Sequence, residues 1–398
     1  MFSREAALRL EQSLFSSRGN RALEEAVATG HADIAKLSST LALLVTARIT
    51  GIDVVDDDRA AKLVKYNRIL NDGVNIEDYT GDPARLKRRV MRTLRSFERD
   101  FLVPSRRARE RGGNSERSEP SEPAADLLTL LIENKTKLEL NDATVAREAA
   151  FFLESGSHTS GQSAANALHF LFGWCPATSE RSRRLGQNLD LVQRCVHEAL
   201  RLRPVVPVLS RRAVRDTEVA GRSIRAGSVV YLDVAAANRD VSVFGSDADC
   251  FNPDRVLSGP AQRYGHSFSS GMHSCIGRAL AVGLSPRAGS ELNAPTRLVG
   301  VVTLLIRRYV QLGVQPHPTR RPKALSDTRR WTIWERYPVA WSRQTAMTDA
   351  ANQMLRGRNR PSWFSSRELR LCRALHGPRT TLWYPDRAPF QSAGAVVP

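Results

Sequence analysis

From Asn141 to about Trp174 the sequence reads as one long helix. Asn141 or Asp142 supplies the N-cap and Cys175-Pro176 the stop. Val145, Ala149, Phe152, Gly156, Thr159, Ser163 and Phe170 share one face, mostly at steps of three and four. A helix of this length points to a helix-dominated fold, and the flanking sequence agrees. Residues 1 to about 104 read as several helices, with Ala6, Leu10 and Leu14 at helical spacing and similar runs across 33–52 and 86–103. Further helices are predicted over about Asp190–Leu202, ended by Pro204, from near Cys275 to Gly283 and Pro286, and over about 297–312. A turn entry at Glu218-Val219-Ala220-Gly221 and the β-branched run Ser228–Leu232 predict two short strands joined at a turn. Residues 239–274 read mostly as loop. The fold class is mainly α with a minor β-sheet.

Composition narrows the function classes. The chain has 398 residues, 41% hydrophobic and 25% charged, which suits a soluble globular protein and not a disordered one. Lys plus Arg minus Asp plus Glu is 59 − 41 = +18, which brings a polyanionic partner into consideration. No nucleic-acid recognition motif accompanies that charge. Five Cys without a close pair give neither a disulfide framework nor a CxxC site. The longest apolar stretch, Leu41–Ile49, is interrupted by Thr46 and Arg48 and too short for a bilayer, and the N-terminus lacks a signal-peptide core. The expected compartment is the cytoplasm, without a membrane anchor.

The long helix is unusual in its middle, where SGSHTSG (155–161) replaces bulk with small and hydroxyl residues. Two readings stand: close approach of a neighbouring helix, or room for a ligand. Cys275 lies in FSSGMHSCIGRALA (268–281), between a glycine-containing loop and the first turn of a helix. A helix N-terminus favours a thiolate, Gly271 and Gly277 allow a flat group to approach, and His273 offers a donor to an anion. The competing reading of a single Cys is a small buried hydrophobe.

The segment Phe268-x-x-Gly271-x-His273-x-Cys275-x-Gly277-x-x-Leu280-Ala281 resembles the haem-ligand loop of cytochrome P-450 monooxygenases. Other signatures of that family precede it in order. Ser155–Ser160 resembles the oxygen-activating segment, Glu198-Ala-Leu-Arg201 the ExxR pair, and Arg211, five residues before Asp216, the propionate-binding Arg. Ala237–Asp240 and Phe251–Arg255 resemble the following stretches, and Tyr337-Pro338-Val339 the closing strand.

The resemblance implies a P-450-like helical fold binding heme b through Cys275, with His273 and Arg211 on the propionates and Phe268, Gly271 and Gly277 shaping the loop. A thiolate axial ligand favours O–O cleavage. It further implies Thr159 and His158 as catalytic residues handling protons, His158 standing where the family usually has an acid. Histidine relays protons near neutral pH, against which stands a substitution without function. Glu154, one turn back, is a further proton carrier to consider. Glu198 and Arg201 form either a surface ion pair or, with Arg255, a buried structural network. The implied reaction inserts one oxygen atom of O2 into an apolar small molecule, with electrons from NAD(P)H through a ferredoxin or similar acidic donor and its reductase. The alternative is a haem-fold remnant without turnover.

Phe2-Ser3-Arg4-Glu5 resembles the approach to the family's D helix, so the leading strands, the A and B helices, the B–C loop and most of the C helix are expected to have no counterpart in this sequence. The expected domain therefore covers residues 1–342 and lacks its front part, and poor haem binding by this chain alone is expected. Residues 284–296 read as an inserted loop. Residues 343–398 hold nine Arg and three acids; they read as frame readthrough or a disordered tail, or else as a binding module. Removing their 9 − 3 = +6 leaves +12 on residues 1–342, consistent with a donor-docking face near Arg263 and Arg278.

Overall fold

The computed structural model describes residues 17–74, 76, 79, 81–112, 126–175, 180–257, 259–283, 299–325 and 333–341. The readings made on Phe2–Glu5, on most of the 111–123 linker, on 284–296 and on the tail lie outside the described residues. The chain divides into two compact units, one of residues 1–164, 276–284 and 298–305, the other of 165–275, 285–297 and 306–398.

The first unit is helical. In order come α1 (Ser17–Thr29), the short strand β1 (His31–Asp33), α2 (Ile34–Thr50), α3 (Asp57–Val74) and α4 (Pro83–Phe97). A π-helical turn, Glu98–Leu102, leads into α5 (Val103–Gly112), and α6 (Leu127–Glu133) follows. The caps are legible locally: Asp33, Asp82 and Asp126 each accept a main-chain N–H at the start of α2, α4 and α6. Leu43, Leu63, Phe97, Phe101, Leu128, Val145, Ala149 and Leu153 form the core. Around it Arg109 bonds both Asp53 and Asp126 at 3.0 Å, tying α5 to two connecting loops.

The long helix α7 runs Asp142–Trp174, and its cap is Asn141, whose Oδ1 accepts from Thr144 N at 2.8 Å. Its small residues serve helix packing. A Cβ placed on Gly161 would stand 2.1 Å from Ser39 Oγ and 2.6 Å from the Ser39 main chain, and one on Gly156 2.8 Å from Thr46 Cγ2. Both neighbours lie on α2, so on this stretch the glycines let two backbones approach. Asn67 of α3 adds a bond to Ser157 Oγ at 2.9 Å.

In the second unit, residues 165–174 of α7 are joined by α8 (Glu180–Gln187) and α9 (Leu189–Leu202). Asn188 caps α9 through Leu191 N. The strand reading is extended here: β3 (Thr217–Val219) and β4 (Arg222–Ile224) form the hairpin turning at Ala220-Gly221, while β2 (Val208–Arg212) pairs antiparallel with β5 (Val229–Asp233). Single-turn helices α10 (Val234–Ala237) and α11 (Val241–Phe244) precede the long loop, which includes a 3-10 turn at Gly271–His273.

The next helix, α12, spans only Arg278–Val282. The expected start near Cys275 is thus corrected: Ser274 is extended (φ −58, ψ 135) and Gly277 is the N-cap, so the turn begins three residues later. Gly283 ends it at φ 74. Helix α13 (Val301–Gln311) and strands β6 (Val314–Pro316), β7 (Lys323–Ala324), β8 (Trp334–Arg336) and β9 (Pro338–Trp341) follow, with β6 pairing β9 and β7 pairing β8. An aromatic clip holds β8 and β9 to α7: Trp334 Nε1 donates to Asn166 Oδ1 at 2.8 Å, and the Tyr337 hydroxyl lies 3.1 Å from His169 Nδ1.

Candidate functional site

Helix α9 turns one face entirely inward, and that face carries both Glu198 and Arg201. Arg201 is fully buried and Glu198 is 3% exposed. Three residues apart, they meet side-on, with Arg201 Nε donating to Glu198 Oε2 at 2.8 Å and Nη2 to Oε1 at 2.7 Å. The second guanidinium arm, Nη1, donates to the carbonyls of Asn238 and Ala248, each at 2.6 Å. Arg255, 5% exposed, donates to the same Glu198 Oε1 at 3.2 Å and also bonds Asp247 and the Phe244 carbonyl. Asn252 N completes the carboxylate at 3.1 Å. Of the two readings of this pair, the structure holds the buried network: two cations share one carboxylate, and main-chain carbonyls take up the spare donors.

Asn238 connects this network to the Cys275 loop, and the sequence reading did not single it out as a site residue. It is fully buried. Its amide nitrogen donates to Arg201 O at 3.1 Å and Ser267 Oγ at 3.0 Å, and its oxygen accepts from His266 N at 2.7 Å. Gly265, at φ +59, passes so close that a Cβ there would stand 2.1 Å from Asn238 Oδ1. The local signal was a small polar side chain directly after the apolar α10 turn, five residues past a capping Asp233. Nothing local distinguished it from an ordinary helix stop.

An aromatic ladder supports the loop from the same side. Buried His197 meets Tyr264 edge-on at 5.3 Å, and Tyr264 meets Phe268 edge-on at 5.0 Å. Phe268 O then accepts from Cys275 N at 2.8 Å, closing the loop onto itself. Among the described cysteines, Cys175, Cys195 and Cys250 are buried and Cys275 is exposed. The buried-hydrophobe reading therefore fits the first three and fails for Cys275. His273 is exposed, and Gly271, at φ +66, has open space around the position a Cβ would take. Arg211 lies half-buried in β2, with Nη1 on Ser210 O at 2.8 Å. Gly277 caps α12. Arg263 is half-buried and spends Nη1 on Arg255 O at 2.6 Å, and burial lowers its pKa.

On α7, Thr159 Oγ1 donates to Ser155 O at 2.6 Å. His158 is only partly exposed, and the packing around its ring withdraws enough water to pull its pKa to about 4. Glu154 is 4% exposed, and burial pushes its carboxyl up to about 7, the Ser155 hydroxyl opposing.

Residues 178–282 match the family description Cytochrome P-450, and that span holds Glu198, Arg201, Arg211, Asn238, Arg255, Phe268 and Cys275. Over that span the chain is similar to the cytochrome P-450 family. Thr159 and His158 lie ahead of the matched span. Cytochrome P-450 109 of Bacillus spizizenii is 34% identical over 163 residues, 40% of this chain and 38% of the relative. A Mycobacterium tuberculosis protein named cytochrome P-450 140 is 28% identical over 313 residues, 77% of this chain. The chain spans 60% of that relative's length. Among solved structures, CYP109E1 of Bacillus megaterium with testosterone superposes with TM-score 0.63 at 19% identity, covering 86% of this chain and 81% of that one. The P-450 heme domain of Tepidiphilus thermophilus gives TM-score 0.66 at 19%, covering 87% and 73%. These likenesses establish the mainly-α P-450 fold. Among the described residues no helix is long and apolar enough to cross a membrane.

Proposed function

We propose that the chain is a haem-thiolate monooxygenase acting on an apolar small molecule, with Cys275 as the thiolate that would hold the haem iron. The observation that carries this is the Cys275 loop itself: one exposed thiol at the head of a main-chain-closed loop, backed by a buried ion network and lying within the family match.

The chain's residues fit such a group. An iron held in a porphyrin needs one protein thiolate rather than a cluster, and Cys275 is the described cysteine that offers one outward. Gly271 leaves the loop surface open where a side chain would project. Exposed His273 and half-buried Arg211 are the donors for the two propionates, and Phe268 and Gly277 fix the loop at its two ends. When bound, the haem supplies oxygen activation, driven by electrons from NAD(P)H through an acidic ferredoxin-type donor.

The remaining residues act by position within their own elements. Asn238 and the Glu198–Arg201–Arg255 network hold the main chain at 264–267, so the thiol is presented without reorganisation. Thr159 keeps its hydroxyl proton on Ser155 O, which leaves its oxygen lone pairs as acceptors. His158 is neutral at pH 7, and burial raises the Glu154 carboxyl to about 7, making it the carboxyl that can hold a proton near neutrality. The testosterone held by CYP109E1 is of the substrate class proposed.

The test is the carbon-monoxide difference spectrum of the reduced, haem-loaded chain. A thiolate-type Soret shift that disappears in Cys275→Ala is expected; its absence, or its survival in the variant, sinks the assignment. A second reading, a haem-fold remnant without turnover, is favoured by two observations. The Thr159 proton is committed within the helix, and His158 replaces the usual acid in neutral form. It predicts the spectrum without product when electron donors are supplied.

A further inference from the structure

Helix α4 carries Arg85, Lys87, Arg88, Arg89, Arg92 and Arg95 and no acid over its fifteen residues. All six are exposed, while its apolar residues Leu86, Thr93 and Phe97 turn inward. The contrast with the rest of the unit is informative. Arg21 pairs with Asp57, Lys62 and Arg99 with Asp100, Arg106 with Asp142, and Arg109 with Asp53 and Asp126. On α4, among the described residues, none of the six forms an ion pair; the charge of Arg89 acts on the half-buried Asp72 and helps hold its carboxyl ionised against burial. Asp82 is occupied at the cap, accepting from Ala84 N at 2.8 Å. Arg85–Arg89 and Arg88–Arg92 at four-residue spacing, with Arg85–Arg88, Arg89–Arg92 and Arg92–Arg95 at three, repel within the helix. Among the described residues no ion pair offsets that cost.

A cavity of about 410 Å³ opens along this face, lined by Tyr79, Asp82, Arg85, Arg89 and Arg92 with Gly81 and Leu86. A Cβ on Gly81 would stand 2.7 Å from the Tyr79 ring, so the ring lies directly over that glycine. Tyr79 and Met91 remain 39% and 46% exposed beside the cations.

We propose that the α4 face is a docking surface for an acidic helical segment of a partner protein. A stripe at positions 85, 89 and 92 is complemented by carboxylates at the same helical spacing on an opposing helix. The exposed Tyr79 and Met91 supply the apolar contacts that protein interfaces place among their charges. A lipid surface is disfavoured because the apolar side of α4 is buried in the unit and unavailable for insertion. Duplex DNA would engage the cations without using the cavity or its aromatic wall. The proposal does not depend on the chemistry proposed at Cys275.

The probe is a synthetic fifteen-residue helical peptide with Glu at positions matching the stripe, followed by fluorescence anisotropy at low and high salt. Micromolar binding that weakens with salt is expected. Arg85→Glu/Arg89→Glu/Arg92→Glu should weaken it tenfold or more. Arg215→Glu/Arg222→Glu/Arg225→Glu, on an exposed basic stretch elsewhere, should change it less than twofold. Circular dichroism on both triple variants checks that the helices persist. No binding, or equal loss in both variants, overturns the proposal. So does tighter binding of phosphatidylglycerol vesicles or of a 20-base-pair duplex that the α4 variant abolishes.

Discussion

Arg255 reaches Glu198 across 57 positions of sequence and donates to the same carboxylate oxygen, Oε1, that Arg201 Nη2 holds from within the helix. The carboxylate is thus the hinge of the second unit: one cation comes from its own helix and the other from the loop that leads toward Cys275. Removing the carboxylate strands two buried guanidinium groups, whereas removing either cation leaves the other in place.

Glu198→Ala should therefore be more damaging than Arg255→Ala. Loss of one partner of a buried pair costs about 3–5 kcal/mol, and the glutamate variant is expected at or above the top of that range. Urea unfolding of the two variants beside the parent reads the difference; equal midpoints would show that the network is not the hinge.

Gly265→Ala tests the contact between Asn238 and the loop. Left-handed φ costs a non-glycine residue about 1–2 kcal/mol, and overpacking against Asn238 adds about 1–3 kcal/mol. The variant should lower the unfolding midpoint, and Asn238→Ala in the same chain should recover the packing part while leaving the backbone part. Full additivity of the two single changes would show that Gly265 and Asn238 do not touch.

Gly161→Ala should press α7 off α2, since its Cβ meets main-chain atoms of Ser39 that no rotamer can move. A loss of about 1–3 kcal/mol is expected. Ser39→Gly removes the hydroxyl but not the backbone, so it should rescue only part. Gly186→Ala, where the nearest atom is 3.9 Å away, is the matched control and should be neutral or better.

Glu154 and His158 should give opposite pH dependences that offset one another. The glutamate binds its proton more tightly folded than unfolded, so its contribution is fully present below about pH 4.5 and is lost as pH rises toward 7. The histidine binds its proton less tightly folded, so its contribution is present above about pH 6.5 and is lost as pH falls toward 4. Each proton is worth about 1.4 kcal/mol per pH unit, and between about pH 4.5 and 6.5 the two slopes cancel. Glu154→Gln should expose a stability that climbs with pH over that window; His158→Asn should expose one that falls. Parallel profiles for both variants would remove one of the two groups from this account.

The sequence by itself determined the local elements and the order of the chemistry-bearing motifs. Asn141, Asp82 and Asn188 mark helix starts because a side-chain oxygen satisfies main-chain donors within three residues. The Cys275 loop was singled out by the resemblance that its glycine, histidine and cysteine pattern carries. Where helix α12 begins was decided by the extended backbone at Ser274, which the residue pattern around it does not encode. The fate of Glu198 and Arg201 was likewise undetermined locally. A pair three residues apart is either a weak surface contact or a buried network, and the choice rests on whether Asn238, Ala248 and Asn252 arrive to satisfy it. The same holds for SGSHTSG: small residues allow close approach, but only the position of α2 turned that allowance into contact at Gly156 and Gly161. Burial and hydrogen-bond satisfaction are properties of what the rest of the chain brings near, and so they belong to the tertiary structure.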